Sequence, residues 1–153
     1  MAIEEIAKTY CAAPPDTTEW MALRDIFMGL GDKLYNGDIK RPLPEHFKAL
    51  ERELERCYCS SAFISCIALS YSIVETFQLS LTKPDRTKLN DQLKYIEHEI
   101  NWLRELRNDL SHFGRPSNKL TRVTSSDQRS ALEVDARKAI ALVYHVGRQF
   151  SRL

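Results

Sequence analysis

The sequence has almost no net charge and few glycines. Its 22 lysines and arginines are balanced by 21 aspartates and glutamates, for a formal net charge of +1 at pH 7, and only 5 of its 153 residues are glycine. This balance excludes a strongly basic protein that coats nucleic acid. With 43% hydrophobic and 28% charged residues, the composition is that of a globular chain rather than a disordered one. We expect a single domain over residues 1–153, in which residues 1–16 form an N-terminal extension.

The chain also lacks the sequence signals of export and of zinc binding. Residues 1–6 have neither the basic start nor the apolar core of a signal peptide, so we expect a cytoplasmic protein. Its cysteines are then expected to be reduced thiols. Cys57 and Cys59 are two positions apart and lack a second ligand pair at zinc-site spacing, so we predict no metal and no other cofactor.

One uncharged run has the length at which a membrane span must be considered. It covers residues 57–74 and is closely bracketed by Arg56 and Glu75. The run also contains five serines, which are Ser60, Ser61, Ser65, Ser70 and Ser72. A helix buried in the centre of a bundle fits this composition better than a membrane span.

Strand-like alternation is absent, and apolar residues recur at helical spacing instead. Asp16 and Glu19 have the form of a capping box, which predicts the start of the first long helix. Four main helices are predicted, over residues 16–35, 45–81 (with a break near residues 60–61), 87–113 and 127–152. The expected fold is therefore an all-α, up-down bundle of four main helices, preceded by a short helical turn within residues 3–10.

The third predicted helix ends in residues suited to phosphodiester chemistry. Arg107, Asn108 and His112 lie in its last turns, before Gly114 and Pro116 stop it. A guanidinium is a fixed cation shaped to bind phosphate, and an imidazole transfers protons near neutral pH. Arg107 and His112 are about 140° apart on an ideal helix, so one subunit would struggle to direct both at one phosphate. A second copy of the chain, related by a two-fold axis, would remove this difficulty.

This arrangement resembles the HEPN superfamily (higher eukaryotes and prokaryotes nucleotide-binding). The hallmark of that family is an arginine and a polar residue, followed a few positions later by a histidine, late in a helix of an α-bundle. The segment Tyr71-Ser-Ile-Val-Glu75 is also similar to the second helix of such domains. The resemblance implies a homodimer in which the Arg/His segments of two subunits meet. It also implies a metal-independent endoribonuclease, acting as the toxin of a toxin–antitoxin system or as a phage-defence component.

Carried onto this chain, the resemblance implies a role for each motif residue. Arg107 would bind the scissile phosphate, and His112 would act as general acid or base on the ribose 2′-hydroxyl or the leaving 5′-oxygen. Asn108 would orient the histidine or the phosphate. Basic residues near the motif would hold flanking phosphates without sequence preference, and these are Arg104, Arg115, Lys119 and Arg122. The implied partners are RNA, a second copy of the chain and an antitoxin protein, with no membrane.

The sequence departs from one branch of the family, and two alternative functions remain open. In that branch a tyrosine stands two positions after the histidine and is modified by a partner enzyme, whereas Gly114 stands there in this chain. The main alternative function is a catalytically inactive HEPN-like module that binds nucleotides or a protein, and a weaker one is a structural dimeric bundle. In a purely structural role, Arg107 would form a salt bridge at the helix end, with Glu105 or Asp109.

Overall fold

A computed structural model of the chain describes residues 16–111 and 126–153. Within these two ranges every regular element is helical and no strand occurs, which confirms the prediction of an all-α protein. The elements are α1 (Thr17–Tyr35), α2 (Phe47–Cys59), α3 (Phe63–Leu79), α4 (Lys83–Leu93), a 3-10 turn (Lys94–Ile96), α5 (Glu97–Ser111) and α6 (Ser126–Ser151). The helical turn predicted within residues 3–10 lies outside the described residues.

The first helix begins where its sequence signal predicts. Asp16 is the N-cap of α1, and its Oδ1 accepts a hydrogen bond from the backbone N–H of Thr18 at 3.3 Å. This bond satisfies one of the N–H groups that the first helical turn leaves without a partner. Leu23, Phe27 and Leu34 of the predicted apolar stripe are buried, so α1 presents that stripe to the core.

The predicted break near residues 60–61 is confirmed and has a specific backbone form. Ser61 adopts a left-handed conformation with φ of 57°, directly after α2 ends at Cys59. The N–H of Ser61 donates to the carbonyl of Tyr58 at 2.9 Å, and the N–H of Ala62 donates to that of Cys57 at 2.8 Å. These two bonds are those of a Schellman motif, which closes the helix end and turns the chain.

The prediction of a third helix over residues 87–113 is wrong in two respects. The sequence predicts a start near Thr87, but α4 starts at Lys83, because Pro84 occupies the first turn of a helix, where a missing N–H costs nothing. The sequence also predicts an uninterrupted helix, whereas the 3-10 turn Lys94–Ile96 separates α4 from α5. The last helix, α6, begins close to the predicted start at residue 127.

Helix α3 lies at the centre of the core and packs mainly against α6, which also packs against α1. The ring of Phe77 on α3 contacts those of Phe47 and Phe150, with centroid distances of 5.1 and 5.2 Å. Gly147 lets α6 approach α3 closely, since a Cβ atom there would lie 3.0 Å from the Phe77 ring. No helix in the described ranges is long and apolar enough to cross a membrane.

Candidate functional site

The guanidinium of Arg107 on α5 is held against α3. Its Cζ lies 4.8 Å from the ring centroid of Tyr71, and its Nη2 lies 3.7 Å from Oε2 of Glu75. Tyr71 and Glu75 are four residues apart, so they face the same side of α3. The Arg107 side chain keeps 35% of its surface exposed. The arginine is therefore oriented by a ring and a carboxylate while remaining accessible to a ligand.

Asn108 lies beside this cation. Nη1 of Arg107 donates to Oδ1 of Asn108 at 3.1 Å, and Asn108 is exposed. The bond engages the oxygen of the amide, so the side-chain N–H donors of Asn108 are the groups suited to contact an anion. Arg107 and Asn108, predicted to act together, are thus adjacent in space as well as in sequence.

Tyr71 is kept in its neutral form by its surroundings. Burial raises the pKa of the Tyr71 hydroxyl, and the carboxylate of Glu75 raises it further, while Arg107 and Arg104 act in the opposite direction. Because an unperturbed tyrosine already titrates near pH ~10, the raised pKa keeps Tyr71 protonated at neutral pH. Its ring contacts the Arg107 guanidinium, and its protonated hydroxyl is a hydrogen-bond donor to Glu75.

A groove of about 320 Å³ adjoins Arg107 and is lined by residues of α3, α4, the 3-10 turn and α5. Tyr71 and Glu75, which contact Arg107, also line this α3–α5 groove. Its apolar surface comes from Val74, Leu93 and Ile100, and its polar lining includes Gln78, Asn90, Lys94, Glu97, Asn101 and Arg104. Apolar walls with a few amide and charged groups are typical of a site for a small planar or partly polar ligand.

The predicted site residues divide into those that the structure describes and those that it does not. Arg104, Arg107 and Asn108 are described, and Arg104 lines the α3–α5 groove. The other predicted residues lie outside the described residues, and they are His112, Arg115, Lys119 and Arg122.

Apart from Arg104, the polar groove residues were not predicted from the sequence. Gln78 and Asn90 come from different helices, and Nε2 of Gln78 donates to Oδ1 of Asn90 at 3.4 Å. Asn101 precedes Arg104 by three positions, and Arg104 precedes Arg107 by three, so these polar residues recur at helical spacing along α5. That spacing is the one sequence signal that would have added Asn101 to the candidate site.

Within the described part of the chain, no group of three or more histidine, cysteine or acidic side chains is placed to hold a metal ion. His98, between Glu97 and Glu99 on α5, is exposed. Comparisons of the chain with protein families, with curated proteins and with solved structures give no match. Its function therefore has to be inferred from the chemistry of its own residues.

Proposed function

We propose that this protein is a metal-independent endoribonuclease of the HEPN type, which cleaves RNA at a site formed by two copies of the chain. Its biological role would be that of a toxin or a phage-defence component in the cytoplasm, where an antitoxin protein would restrain it. We also propose that the four main helices follow one another in up-down order. The observation that carries it is the placement of Arg107, held by Tyr71 and Glu75 at the end of α5 beside Asn108.

The geometry around Arg107 suits a phosphate-binding role. The 3.7 Å distance between Nη2 and the Glu75 carboxylate is longer than a hydrogen bond, so Glu75 orients the guanidinium chiefly by charge. A phosphate oxygen is a stronger partner, because it can accept short, charge-assisted hydrogen bonds from the guanidinium. The Tyr71 ring beneath the cation limits the directions in which Arg107 can move.

The α3–α5 groove supports RNA, rather than a free phosphate, as the ligand. Its volume of about 320 Å³ can accept a nucleobase next to the scissile phosphate. The amides of Gln78, Asn90 and Asn101 can form hydrogen bonds with the edge of an unpaired base. Arg104 at the same groove can bind a neighbouring phosphate, which would make RNA binding sensitive to salt.

The proposed reaction transfers phosphoryl between two oxygens of the same RNA strand. A base takes the proton of the ribose 2′-hydroxyl, and the resulting oxygen bonds to phosphorus. The bond to the 5′-oxygen then breaks, and an acid supplies the proton that this leaving group needs. His112 serves as the acid or the base, and Arg107 stabilises the charge that develops on the phosphate oxygens. The products are a 2′,3′-cyclic phosphate end and a 5′-hydroxyl end.

The test is cleavage of a labelled single-stranded RNA by the purified protein in the presence of EDTA. We expect cyclic phosphate ends from the wild type, and a loss of cleavage of at least about a hundredfold in Arg107→Ala and in His112→Ala. Arg52→Ala and His98→Ala are matched controls, because both residues are exposed and lie outside the groove. Equal activity of the control and site variants would overturn the assignment.

The groove also favours one alternative, a nucleotide-binding module without catalysis. In that case the wild type would cleave no RNA and its expression would be harmless to cells. Nucleotide binding would then survive His112→Ala but weaken in Arg107→Ala. Titration of the two variants with a nucleoside monophosphate separates this alternative from the nuclease.

A further inference from the structure

A second pocket, of about 230 Å³, lies between α1 and α6. Its lining includes Gly29 and Lys33 from α1, and Tyr144, His145 and Arg148 from α6. None of the residues that line this α1–α6 pocket in the described part of the chain is acidic. Two permanent cations and an imidazole therefore surround one space without a carboxylate among them.

Arg148 contributes an unsatisfied donor to this pocket. Its Nε atom is buried and has no hydrogen-bond partner within the described ranges. A buried N–H group of a guanidinium is costly to leave without an acceptor, because its hydration has been lost. An anion bound beside Arg148 would provide that acceptor together with a compensating charge.

The charged groups that shift the pKa of His145 are all cations. Burial lowers the pKa of His145, and Arg148, Lys33 and Arg152 lower it further. On its other side, Nε2 of His145 shares a hydrogen bond with the hydroxyl of Tyr95, to which Gln149 also donates at 3.3 Å. Three cations thus act on one imidazole, from α1, from α6 and from Arg152 directly after α6.

The carboxylate that contacts Tyr144, a residue of the pocket lining, belongs to another network. Glu51 of α2 accepts the Tyr144 hydroxyl at 2.8 Å through Oε1, and it accepts the Tyr35 hydroxyl at 2.6 Å through Oε2. Both of its oxygens are therefore engaged by tyrosines. The charge of Glu51 is directed at the far end of Tyr144, rather than at Lys33 or Arg148.

We propose that the α1–α6 pocket binds a phosphate group, held by Lys33 and Arg148, and that His145 takes up a proton when the anion enters. This site is separate from the Arg107 region and does not depend on the proposed nuclease activity. The phosphate can belong to a small phosphorylated molecule or to the backbone of a nucleic acid, since the two present the same group.

The pocket offers a variant that blocks it without disturbing the core. A Cβ atom built on Gly29 would meet no other atom within 4 Å, so a side chain there has open space. Gly29→Gln therefore extends a side chain at the pocket wall, whereas Gly29→Ala adds only a methyl group. This pair complements Arg148→Gln, because loss of a half-buried arginine can also impair folding.

The experiment is a calorimetric titration of the full chain with sulfate at constant ionic strength, repeated with inorganic phosphate. Sulfate remains fully ionised from pH 5 to pH 8, so any change of its affinity in that range reports on the protein. We expect the Kd for sulfate to rise at least about tenfold in Lys33→Gln, Arg148→Gln and Gly29→Gln. Gly29→Ala and the exposed control Arg52→Gln should bind as the wild type does.

The pH dependence gives a second measurement. Because the pKa of His145 lies below its usual value and a bound anion would raise it, sulfate should bind more tightly as the pH is lowered. This gain should be lost in His145→Asn. Absence of sulfate and phosphate binding at millimolar concentration, or an unchanged Kd in both Arg148→Gln and Gly29→Gln, would overturn the proposal.

The source of the phosphate is resolved by competition. Displacement of sulfate by a short single-stranded RNA, but not by adenosine monophosphate, would assign the site to a nucleic-acid backbone. The reverse result would assign it to a small phosphorylated molecule. RNA cleavage by Gly29→Gln tests the other site independently, so a failure of either proposal is recognised without reference to the other.

Discussion

The hydroxyl of Tyr144 donates a 2.8 Å hydrogen bond to the Glu51 carboxylate and so joins α6 to α2. Tyr35 of α1 donates to the other oxygen of the same carboxylate at 2.6 Å. Tyr144 is 4% exposed, whereas Tyr35 is 47% exposed. One glutamate thus connects three helices, and the buried tyrosine is the partner that water cannot replace.

Replacement of Tyr144 by phenylalanine tests this connection. We expect Tyr144→Phe to lower the free energy of unfolding by about 1–3 kcal/mol, since an oxygen of Glu51 loses a buried donor. Tyr35→Phe should cost less, because water can reach Glu51 at the exposed position. Urea denaturation of both variants gives the comparison, and an equal cost for the two would show that burial does not determine it.

The same contact predicts how stability responds to alkaline pH. Burial and the Glu51 carboxylate raise the pKa of Tyr144 well above its usual value, so the folded pKa lies above the unfolded value of about 10. The resulting stabilisation is complete below pH ~10 and is lost as the pH rises toward the folded pKa. Above about pH 10 the wild type should lose stability more steeply than Tyr144→Phe, as measured by urea midpoints in alkaline buffers.

Two glycines of α1 should respond in opposite directions to the same substitution. A Cβ atom at Gly31 would lie 3.1 Å from Cζ of Tyr144, and the hydrogen bond to Glu51 limits the movement of that ring. We expect Gly31→Ala to destabilise the fold by about 1 kcal/mol or more. Gly29 has open space around it, so Gly29→Ala should stabilise the helix by up to about 1 kcal/mol. Thermal unfolding of the two variants measures the difference.

Replacement of Ser61 by glycine should stabilise the fold. Its φ of 57° costs an L-residue about 1 kcal/mol or more, and glycine adopts this conformation without that cost. We expect Ser61→Gly to raise the melting temperature by several degrees. The neighbouring Ser60 has φ of −88°, so Ser60→Gly serves as the control and should not stabilise. A lower melting temperature for Ser61→Gly would contradict the assignment of strain to this residue.

Buried thiols should resist alkylation. Burial raises the pKa of Cys59 to about 11 and that of Cys66 to about 12. At about pH 8 the reactive thiolate is then roughly one thousandth or less of either residue. We expect iodoacetamide to label the partly exposed Cys57 before these two, and urea to abolish the difference. Peptide mapping by mass spectrometry reports each cysteine separately.

Glu75 should limit RNA binding while supporting cleavage, if the proposed nuclease is correct. Its carboxylate repels phosphate but also orients Arg107. Glu75→Gln should therefore bind RNA severalfold more tightly at low salt and cleave it more slowly. Glu105→Gln, an exposed site on α5, is the matched control for the change of charge. Cleavage in Glu75→Gln as fast as in the wild type would exclude the orienting role.

Local signals predicted most of the helix ends, and their absence explains the main error. Asp16 and the serines at residues 60–61 act through their own backbone neighbourhood, so the sequence displays the cap and the break. The 3-10 turn Lys94–Ile96 has no glycine or proline, and the apolar spacing continues from Leu93 through Ile96 to Ile100. A short 3-10 segment changes the rise per residue but preserves this pattern, so the sequence resembles one continuous helix.

Only the part of the candidate site that lies within α5 could be predicted from the sequence. Arg107 and Asn108 are neighbours in the sequence, and their chemistry could be recognised there. The contacts of Arg107 with Tyr71 and Glu75, and the assembly of the groove from three helices, depend on how helices pack. In the same way, Lys33 and Arg148 line one pocket because α1 packs against α6, and no spacing along the chain predicts this.

The position of α6 in the chain has a consequence for biosynthesis. This helix covers both α1 and α3, yet it is translated after every other helix described. While the ribosome is still producing it, the apolar faces that carry Phe27 and Phe77 lack the part of their cover that α6 supplies. The core can therefore close only after α6 has been synthesised, and until then the nascent chain is more prone to aggregate and more dependent on chaperones.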